Sequence, residues 1–175
     1  MFDDIRHSAF HSAIPHLSFT LRPVTDPDRP WLRELMREHW GSELMVDRDR
    51  QYYPAEQAGW IAADGDEPVG VITYHVADGQ CEVTSLTSLR REQGVGGALL
   101  DATVAVARAQ GCKRLWLITT NDNLTALRFY QKRGLRLAAL YPGEIEHARQ
   151  HKPEIPLIGE NGIPIRDELE LQLIL

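Results

Sequence analysis

The first forty residues carry two different spacings of apolar positions. Residues 17–24 alternate apolar and polar side chains, which predicts a strand, and residues 31–40 place apolar side chains at helical spacing, which predicts a helix. Gly41 follows this helix directly and is expected to end it. Residues 42–56 show neither spacing, so we expect a loop or a short helix there, covering the active face.

Three apolar runs follow between residues 58 and 89, and two turn sequences separate them. The turns are Asp64-Gly65-Asp66 and Ala77-Asp78-Gly79. Glycine beside aspartate favours the positive φ angles of tight hairpin turns. The region is therefore predicted to form a three-stranded antiparallel meander.

The second half alternates helical and strand-like segments. We predict helices over residues 94–110 and 124–133, strands over 113–120 and 135–140, a polar helix within 142–151, a long loop over 152–166 and a last strand over 167–175. This order predicts an α/β fold, namely a mixed sheet with antiparallel N-terminal strands, a β-α-β C-terminal part and helices on both faces. Residues 18–175 form the predicted domain, and residues 1–17 are expected to be a loose N-terminal segment.

Composition narrows the class of protein. The chain has 175 residues, 43% hydrophobic content and a formal net charge of -6, which suits one globular domain and argues against nucleic acid as its main partner. It contains no apolar run long enough for a membrane span and no signal-peptide pattern, so we expect no membrane partner and a cytoplasmic location. Cys81 and Cys112 form no CxxC pattern and are expected to be reduced thiols.

A glycine-rich turn opens the predicted helix 94–110. It runs Arg91-Glu92-Gln93-Gly94-Val95-Gly96-Gly97, which matches a pattern of arginine followed by glycines three and five positions later. Glycines let a ligand approach the backbone, and a helix N-terminus offers unpaired N–H groups, so this turn suits a pyrophosphate. A dinucleotide fingerprint fails because Leu99 stands where its third glycine belongs, and no P-loop sequence is present.

A second motif lies downstream. Asn123, Ala126, Phe129, Tyr130 and Gly134 fit the pattern N-x-x-A-x-x-F-Y-x-x-x-G-F, except that Leu135 replaces the last phenylalanine. Together with the glycine turn, this pattern resembles the two signatures of the GNAT superfamily of acetyl-CoA-dependent N-acetyltransferases. The resemblance covers residues 58–141 and implies transfer of acetyl from acetyl-CoA, as co-substrate, directly to a primary amine of a small-molecule or peptide acceptor.

The resemblance also implies roles for individual residues. Backbone amides of the turn would hold the pyrophosphate, the preceding strand would pair with the pantetheine arm, and Tyr130 would protonate the departing thiolate. The implied cofactor-binding residues are Leu86, Thr87, Ser88, Arg91, Gln93, Gly94, Val95, Gly96, Gly97, Asn123 and Tyr130. Asn123 is alternatively a helix cap and Tyr130 a core residue. A backbone amide near Leu86 or Thr87 is expected to stabilise the oxyanion.

The resemblance places a general base on the strand before the turn. Glu82 begins that strand and is the predicted base, acting through water, while the alternatives are an edge carboxylate or a charge that binds the acceptor. His75 is an alternative base. Asp167, Glu168 and Glu170 form either a solvated strand face or carboxylates that attract a cationic acceptor.

For several other residues, a purely structural interpretation stands beside a functional one. Tyr52, Tyr53 and Trp40 are candidates to line an acceptor pocket. Arg48 and Arg50 are expected to be solvated loop charges, and the alternative is that they bind an acidic group of the acceptor. The histidine pairs 7/11 and 147/151 have helical spacing but no third ligand nearby in sequence, so we expect no metal site.

A different class of protein also fits the motifs. A CoA-binding sensor or regulatory module without turnover would need the glycine turn. It would need neither an acid nor a base, so Tyr130 and Glu82 favour an enzyme. The sequence leaves a homodimer open.

Overall fold

The structure, a computed structural model, describes residues 19–48, 50–90, 93–159 and 161–175. The predicted N-terminal segment lies outside these residues, as do Arg91 and the start of the first predicted strand.

Within the described residues, nine strands form one large sheet and one small one. In chain order they are β1 (Thr20–Pro23), β2 (Met45–Asp47), β3 (Arg50–Tyr52), β4 (Ala58–Asp64), β5 (Glu67–Ala77), β6 (Gln80–Ser88), β7 (Arg114–Thr120), β8 (Arg136–Tyr141) and β9 (Glu168–Ile174). The large sheet has seven strands in the order β1-β4-β5-β6-β7-β9-β8, and only the β6–β7 pairing is parallel. The predicted mixed α/β fold and the antiparallel meander β4-β5-β6 are confirmed.

Four helices accompany the sheets: α1 (Arg29–Trp40), α2 (Val95–Ala109), α3 (Leu124–Lys132) and α4 (Glu144–His151). Gly41 ends α1 in the left-handed region with φ 73°, as glycine readily does. Asn123 caps α3, because its side-chain oxygen accepts a hydrogen bond from the Ala126 amide at 3.1 Å.

The helices cover both faces of the sheet. Val71 and Ile72 are neighbours on β5 and therefore point to opposite faces. Val71 packs in a cluster with α1, and Ile72 packs in a larger cluster with α2, α3 and the middle of β7. Each face buries its own apolar core, so β5 is held in place from both sides.

Small residues set the position of α2. A Cβ on Gly70 of β5 would lie 2.5 Å from Val95 Cγ1 and 3.0 Å from the Thr87 carbonyl oxygen, so only glycine allows this approach. Gly96 faces Phe129 of α3 with room for a methyl group, since a Cβ there would be 3.5 Å from the ring. The first turn of α2 is thereby packed between β5 and α3.

Residues 42–56 differ from the expectation. They contain the hairpin β2–β3 and a short 3₁₀ turn over Pro54–Glu56 instead of a loop or a single helix. The hairpin turn places Arg48 at φ 41°, which is unusual for a residue other than glycine. Side chains from the main sheet determine this conformation, and their contacts are described below.

Candidate active site

The parallel pairing of β6 with β7 ends abruptly. Gln80, Cys81 and Glu82 pair with Arg114, Leu115 and Trp116, and in the described part of the chain residues 83–88 have no partner on β7. The two strands diverge beyond Glu82 and Trp116, so this pair forms the apex of a cleft. The open edge of β6 leaves backbone N–H and C=O groups for an extended ligand arm.

A β-bulge bends β6 at the same place. Thr73 pairs with Ser85 and Tyr74 pairs with Val83, so Thr84 is an extra residue. The Thr73 hydroxyl bonds to Thr84 Oγ1 at 2.8 Å and to Ser85 Oγ at 2.7 Å. A bulge bends its strand and increases the local twist, which favours divergence from β7.

The predicted arm-binding residues Leu86, Thr87 and Ser88 lie on this open edge. Leu86 packs against the larger core, and Ser88 Oγ donates to the Arg90 carbonyl oxygen at 2.9 Å. Thr87 Oγ1 is buried and has no hydrogen-bond partner among the described residues. A buried hydroxyl without a partner is costly, so a polar ligand atom beside Thr87 would satisfy it.

The glycine turn leads from β6 into α2. Gln93 and Gly94 are exposed, and Gly94 adopts φ 76° as the N-cap of α2. The first helical hydrogen bond runs from the Ala98 amide to the Gly94 carbonyl at 3.0 Å, so the amides of residues 95–97 precede the helical ladder. These N–H groups and the helix dipole suit an anion at the end of the open β6 edge.

The second motif lies on α3. The Asn123 oxygen is used as the helix cap, and the structure gives its side-chain amide no partner within the described chain. Tyr130 is only 7% exposed and packs edge-to-face on Phe129 with ring centroids 5.1 Å apart. Burial raises the pKa of Tyr130 well above the usual value for a phenol, so its hydroxyl keeps its proton at neutral pH.

Glu82 is buried at the apex and paired with an arginine from the hairpin. Arg50 Nη1 donates to Glu82 Oε2 at 2.9 Å, and Arg50 Nη2 donates to Glu82 Oε1. The pair borders a cavity of about 390 Å³ that Tyr52, His75 and Thr84 also line. His75 lies opposite Glu82 on β5 and is exposed, so both predicted base candidates face this cavity.

Beside Glu82 lies a compact group of charged and aromatic side chains around Trp116. This Trp116 cluster comprises Asp47, Arg48, Arg50, Glu82, Arg114, Trp116, Tyr141, Glu168 and Glu170. Three guanidinium carbons lie 4.9, 5.2 and 5.3 Å from the Trp116 ring centroid. All four carboxylates are buried.

The last strand contributes to this cluster from its polar side. Glu170 accepts from Arg114 Nη1 at 2.6 Å and from Tyr141 Oη at 2.9 Å, and Glu168 accepts from the Arg48 amide at 3.3 Å. The expectation of a solvated face is therefore wrong for both glutamates, because the hairpin covers them. Burial, together with the nearby Asp47 carboxylate, raises the pKa of Glu168 to about 7.

Arg48 and Arg50 also depart from the expectation of solvated loop charges. Arg48 Nη1 bonds to the Tyr141 hydroxyl at 3.0 Å, and Arg50 bridges Asp47 and Glu82. Of the aromatic candidates, Tyr52 borders the cavity, whereas Tyr53 and Trp40 are largely exposed.

Alternative chemistry finds little support in the described residues. Burial is the main cause that raises the pKa of Cys81 to about 12, and the neighbouring Cys112 adds to it, so this thiol is a poor nucleophile. Within residues 19–175, apart from the undescribed positions, no three ligating side chains gather to hold a metal ion. No helix of the described chain has both the length and the apolar content of a membrane span.

A diverging parallel strand pair, a glycine turn and a helix N-terminus together suit a ligand with an extended arm and a phosphate group, and sequence comparison identifies the family. The acetyltransferase (GNAT) family model matches residues 26–135. The uncharacterized protein YxbD of Bacillus subtilis is 43% identical over 150 residues, which cover 85% of this chain and 94% of YxbD. The chain belongs to the GNAT acetyltransferase family.

Solved structures show the same fold. A GNAT family acetyltransferase from Elizabethkingia anophelis with acetyl-CoA bound has a TM-score of 0.64 at 21% identity, covering 90% of this chain and 99% of that chain. A Bacillus subtilis acetyltransferase in complex with CoA has a TM-score of 0.64 at 20% identity, with the same coverage.

Sequence reasoning did not predict the pairing of Arg50 with Glu82 or the Trp116 cluster. The available signal was weak. Glu82, Glu168 and Glu170 all lie on strands, and the segment from Asp47 to Arg50 carries arginines, but nothing local in the sequence brings them together. Their partnership depends on strand order, since Arg48 and Glu168 are 120 positions apart.

Proposed function

We propose that this protein transfers the acetyl group of acetyl-CoA directly to a primary amine of a small-molecule or peptide acceptor. The observation that supports this most strongly is the open edge of β6 beyond Glu82, which runs toward the amides at the start of α2 that precede the helical hydrogen bonds. The edge suits an extended pantetheine arm and the amides suit a diphosphate. The acetyl-CoA and CoA bound to the two solved relatives support the same ligand here.

The residues proposed to hold the co-substrate follow the path from strand to helix. Leu86, Thr87 and Ser88 pair with the arm through the backbone, Thr87 offers its buried hydroxyl, and the side-chain amide of Asn123 binds the arm. The amides of residues 93–97 hold the diphosphate, and Arg91 adds positive charge near it.

The chemistry requires three proton movements. The acceptor arrives as an ammonium ion and must lose a proton before its nitrogen can attack the thioester carbonyl, and Glu82 takes this proton through a water in the cavity. Tyr130 gives a proton to the sulfur as the carbon–sulfur bond breaks. The nitrogen, positively charged after its attack, loses a second proton, which passes through solvent to restore the Tyr130 hydroxyl and leaves the neutral amide. The buried Cys81 thiol argues for direct transfer without an acyl-cysteine.

Acetyl transfer itself is tested by release of CoA thiol. Purified protein and acetyl-CoA are incubated with a panel of diamines, amino acids, aminoglycosides and peptides, and acetylated product is detected by mass spectrometry. Turnover with at least one amine is expected. Tight binding of acetyl-CoA without turnover of any amine would instead favour the sensor.

Tyr130→Phe tests the proposed acid. Loss of the hydroxyl removes the proton donor but keeps the packed ring, so kcat falls by about 10²-fold while the Kd for CoA changes less than about threefold. Stopped-flow or steady-state rates and calorimetric CoA titration measure the two quantities. Phe129→Leu is the packing control, and normal turnover by Tyr130→Phe would reject the acid assignment.

A further inference from the structure

We propose that Arg50 is a positioning residue for acetyl transfer: it fixes the Glu82 carboxylate in the orientation from which that group accepts the proton of the acceptor. This rests on the proposed function, in which Glu82 is the base. Arg50 comes from the hairpin β2–β3, and the sequence did not predict that it pairs with Glu82.

Hydrogen bonds occupy almost all of the N–H donors of the Arg50 guanidinium. Nη1 and Nη2 donate to the two oxygens of Glu82, while Nε and Nη2 donate to Asp47 Oδ1 at 3.1 and 2.7 Å. These bonds use four of the five N–H donors of arginine. Little remains to bind a carboxylate of the acceptor, so the role of Arg50 is directed toward Glu82.

Both carboxylate oxygens are held at once. A fork of two parallel N–H donors restricts rotation of the carboxylate, which a single lysine ammonium does not do. Each oxygen of Glu82 still has lone-pair capacity for a water molecule in the cavity that both residues border. The ion pair therefore orients the Glu82 carboxylate and leaves it able to accept a proton.

Arg50 is itself held in place at the apex. Its guanidinium carbon lies 5.2 Å from the centroid of Trp116, and Trp116 is paired with Glu82 on the adjacent strand. The side chain remains 44% exposed, so its outer surface borders the cavity while its donors point inward. Asp47 lies across the hairpin turn, so the Arg50 guanidinium is held between two buried carboxylates, those of Asp47 and Glu82.

Several charged or titratable groups surround Glu82 and bear on any pH effect. On the hairpin they are Asp47, Arg50 and Tyr52, on β5 His75, on β6 Cys81, on β7 Arg114, and on β9 Glu170 through Arg114. Arg50 is the one among them that the structure bonds directly to the Glu82 carboxylate. Its removal is therefore expected to affect Glu82 first.

The test compares Arg50→Met and Arg50→Lys with the wild type, using the pH dependence of kcat/KM and the separate values of kcat and KM for the acceptor. In Arg50→Met, kcat/KM at pH 8 is expected to fall by about 10- to 100-fold, mainly through kcat, because the carboxylate is no longer oriented. Arg50→Lys keeps a positive charge without the fork, so it stays at least about fivefold impaired.

Arg33→Met is the matched control. Arg33 on α1 pairs with Glu56 at 2.6 Å on the surface, away from β6, and its replacement is expected to change neither quantity. If Arg50→Met does not fold, Asp47→Asn combined with Arg50→Met removes one carboxylate together with the guanidinium and gives the same readouts.

A double-mutant cycle separates positioning from mere support of the fold. In a Glu82→Gln background, Arg50→Met is expected to lower kcat/KM by less than about twofold, because the base it orients is already gone. A full further loss in that background, or an unchanged kcat/KM in Arg50→Met alone, overturns the proposal while acetyl transfer by the wild type stands. Absence of transfer by the wild type overturns the proposed function, and the role of Arg50 with it.

Discussion

At the scale of single residues, four carboxylates are buried close to one another. Asp47, Glu82, Glu168 and Glu170 are all less than 6% exposed, and three arginines face them. Removing one partner from such a group leaves a buried charge without compensation, which is more costly than losing an exposed ion pair. Glu168 differs from the others because it has only a backbone amide as its donor.

Glu168→Gln is expected to stabilise the protein at high pH. The pKa of Glu168 is raised to about 7 in the folded state, so the folded form favours the proton, and the stability this provides is present below pH 4.5 and is lost as pH rises through 7. Glutamine cannot ionise, so at pH 8 the variant gains up to about 3 kcal/mol of unfolding free energy. Near pH 4.5 the two proteins agree to within about 0.5 kcal/mol.

Urea unfolding at the two pH values measures this difference, and Glu170→Gln is the contrasting variant. Glu170 accepts bonds from Arg114 and Tyr141, so its loss is expected to destabilise at pH 8. A Glu168→Gln variant whose stability relative to the wild type does not depend on pH would contradict the expectation.

At the scale of elements, prediction succeeded where local pattern and tertiary structure agree. The turns at residues 64–66 and 77–79 carry glycine and lie between apolar runs, so the meander could be derived from the sequence. The glycine turn and the cap at Asn123 likewise use only neighbouring residues. Each of these signals lies within a few residues of the structure it specifies.

Prediction failed where a distant segment decides the environment. The strands of the hairpin are three residues long, too short to show a period, and their contacts are with β6, β7 and β9. Glu168 and Glu170 alternate with leucines, which locally indicates a solvent-facing edge. The sequence does not show that the hairpin covers this face, so the Trp116 cluster was not predictable.

The packing of α2 predicts opposite effects on stability for alanine substitutions at two glycines. Gly70→Ala is expected to destabilise by about 1–3 kcal/mol, since its Cβ would meet Val95 and the Thr87 carbonyl oxygen at or below contact distance. Gly96→Ala is expected to be neutral or to stabilise by up to about 1 kcal/mol, because alanine favours the helix and has room beside Phe129. Thermal unfolding of both ligand-free variants measures this, and equal effects would contradict the packing argument.

At the scale of the whole molecule, the site lies along β6, a strand whose side chains reach both faces of the sheet. β6 presents Leu86 to the core beneath α2 and α3, and Glu82 to the hairpin on the opposite face. A ligand along its open edge would therefore lie close to groups on both faces of the sheet. Such a ligand binds the native state but not the unfolded chain, so it adds to global stability.

Acetyl-CoA is accordingly expected to raise the melting temperature. At 100-fold excess over its Kd a ligand contributes about 2.7 kcal/mol, which for a domain of this size corresponds to about 5–10 °C. Differential scanning fluorimetry measures the shift. Pantetheine at the same concentration, which lacks the diphosphate, is expected to give a much smaller one, and equal shifts would argue against the amides of α2 as the diphosphate site.

The bulge at Thr84 also suggests how separable folding and catalysis are in this chain. Residues on either side of Thr84 already pair with β5 on their proper faces, so a chain lacking this one threonine would keep every other β6 side chain pointing as it does now. Such a chain would gain a regular, straighter strand, able to continue alongside β7. Deletion of this single residue is therefore expected to close the cleft while the meander stays folded.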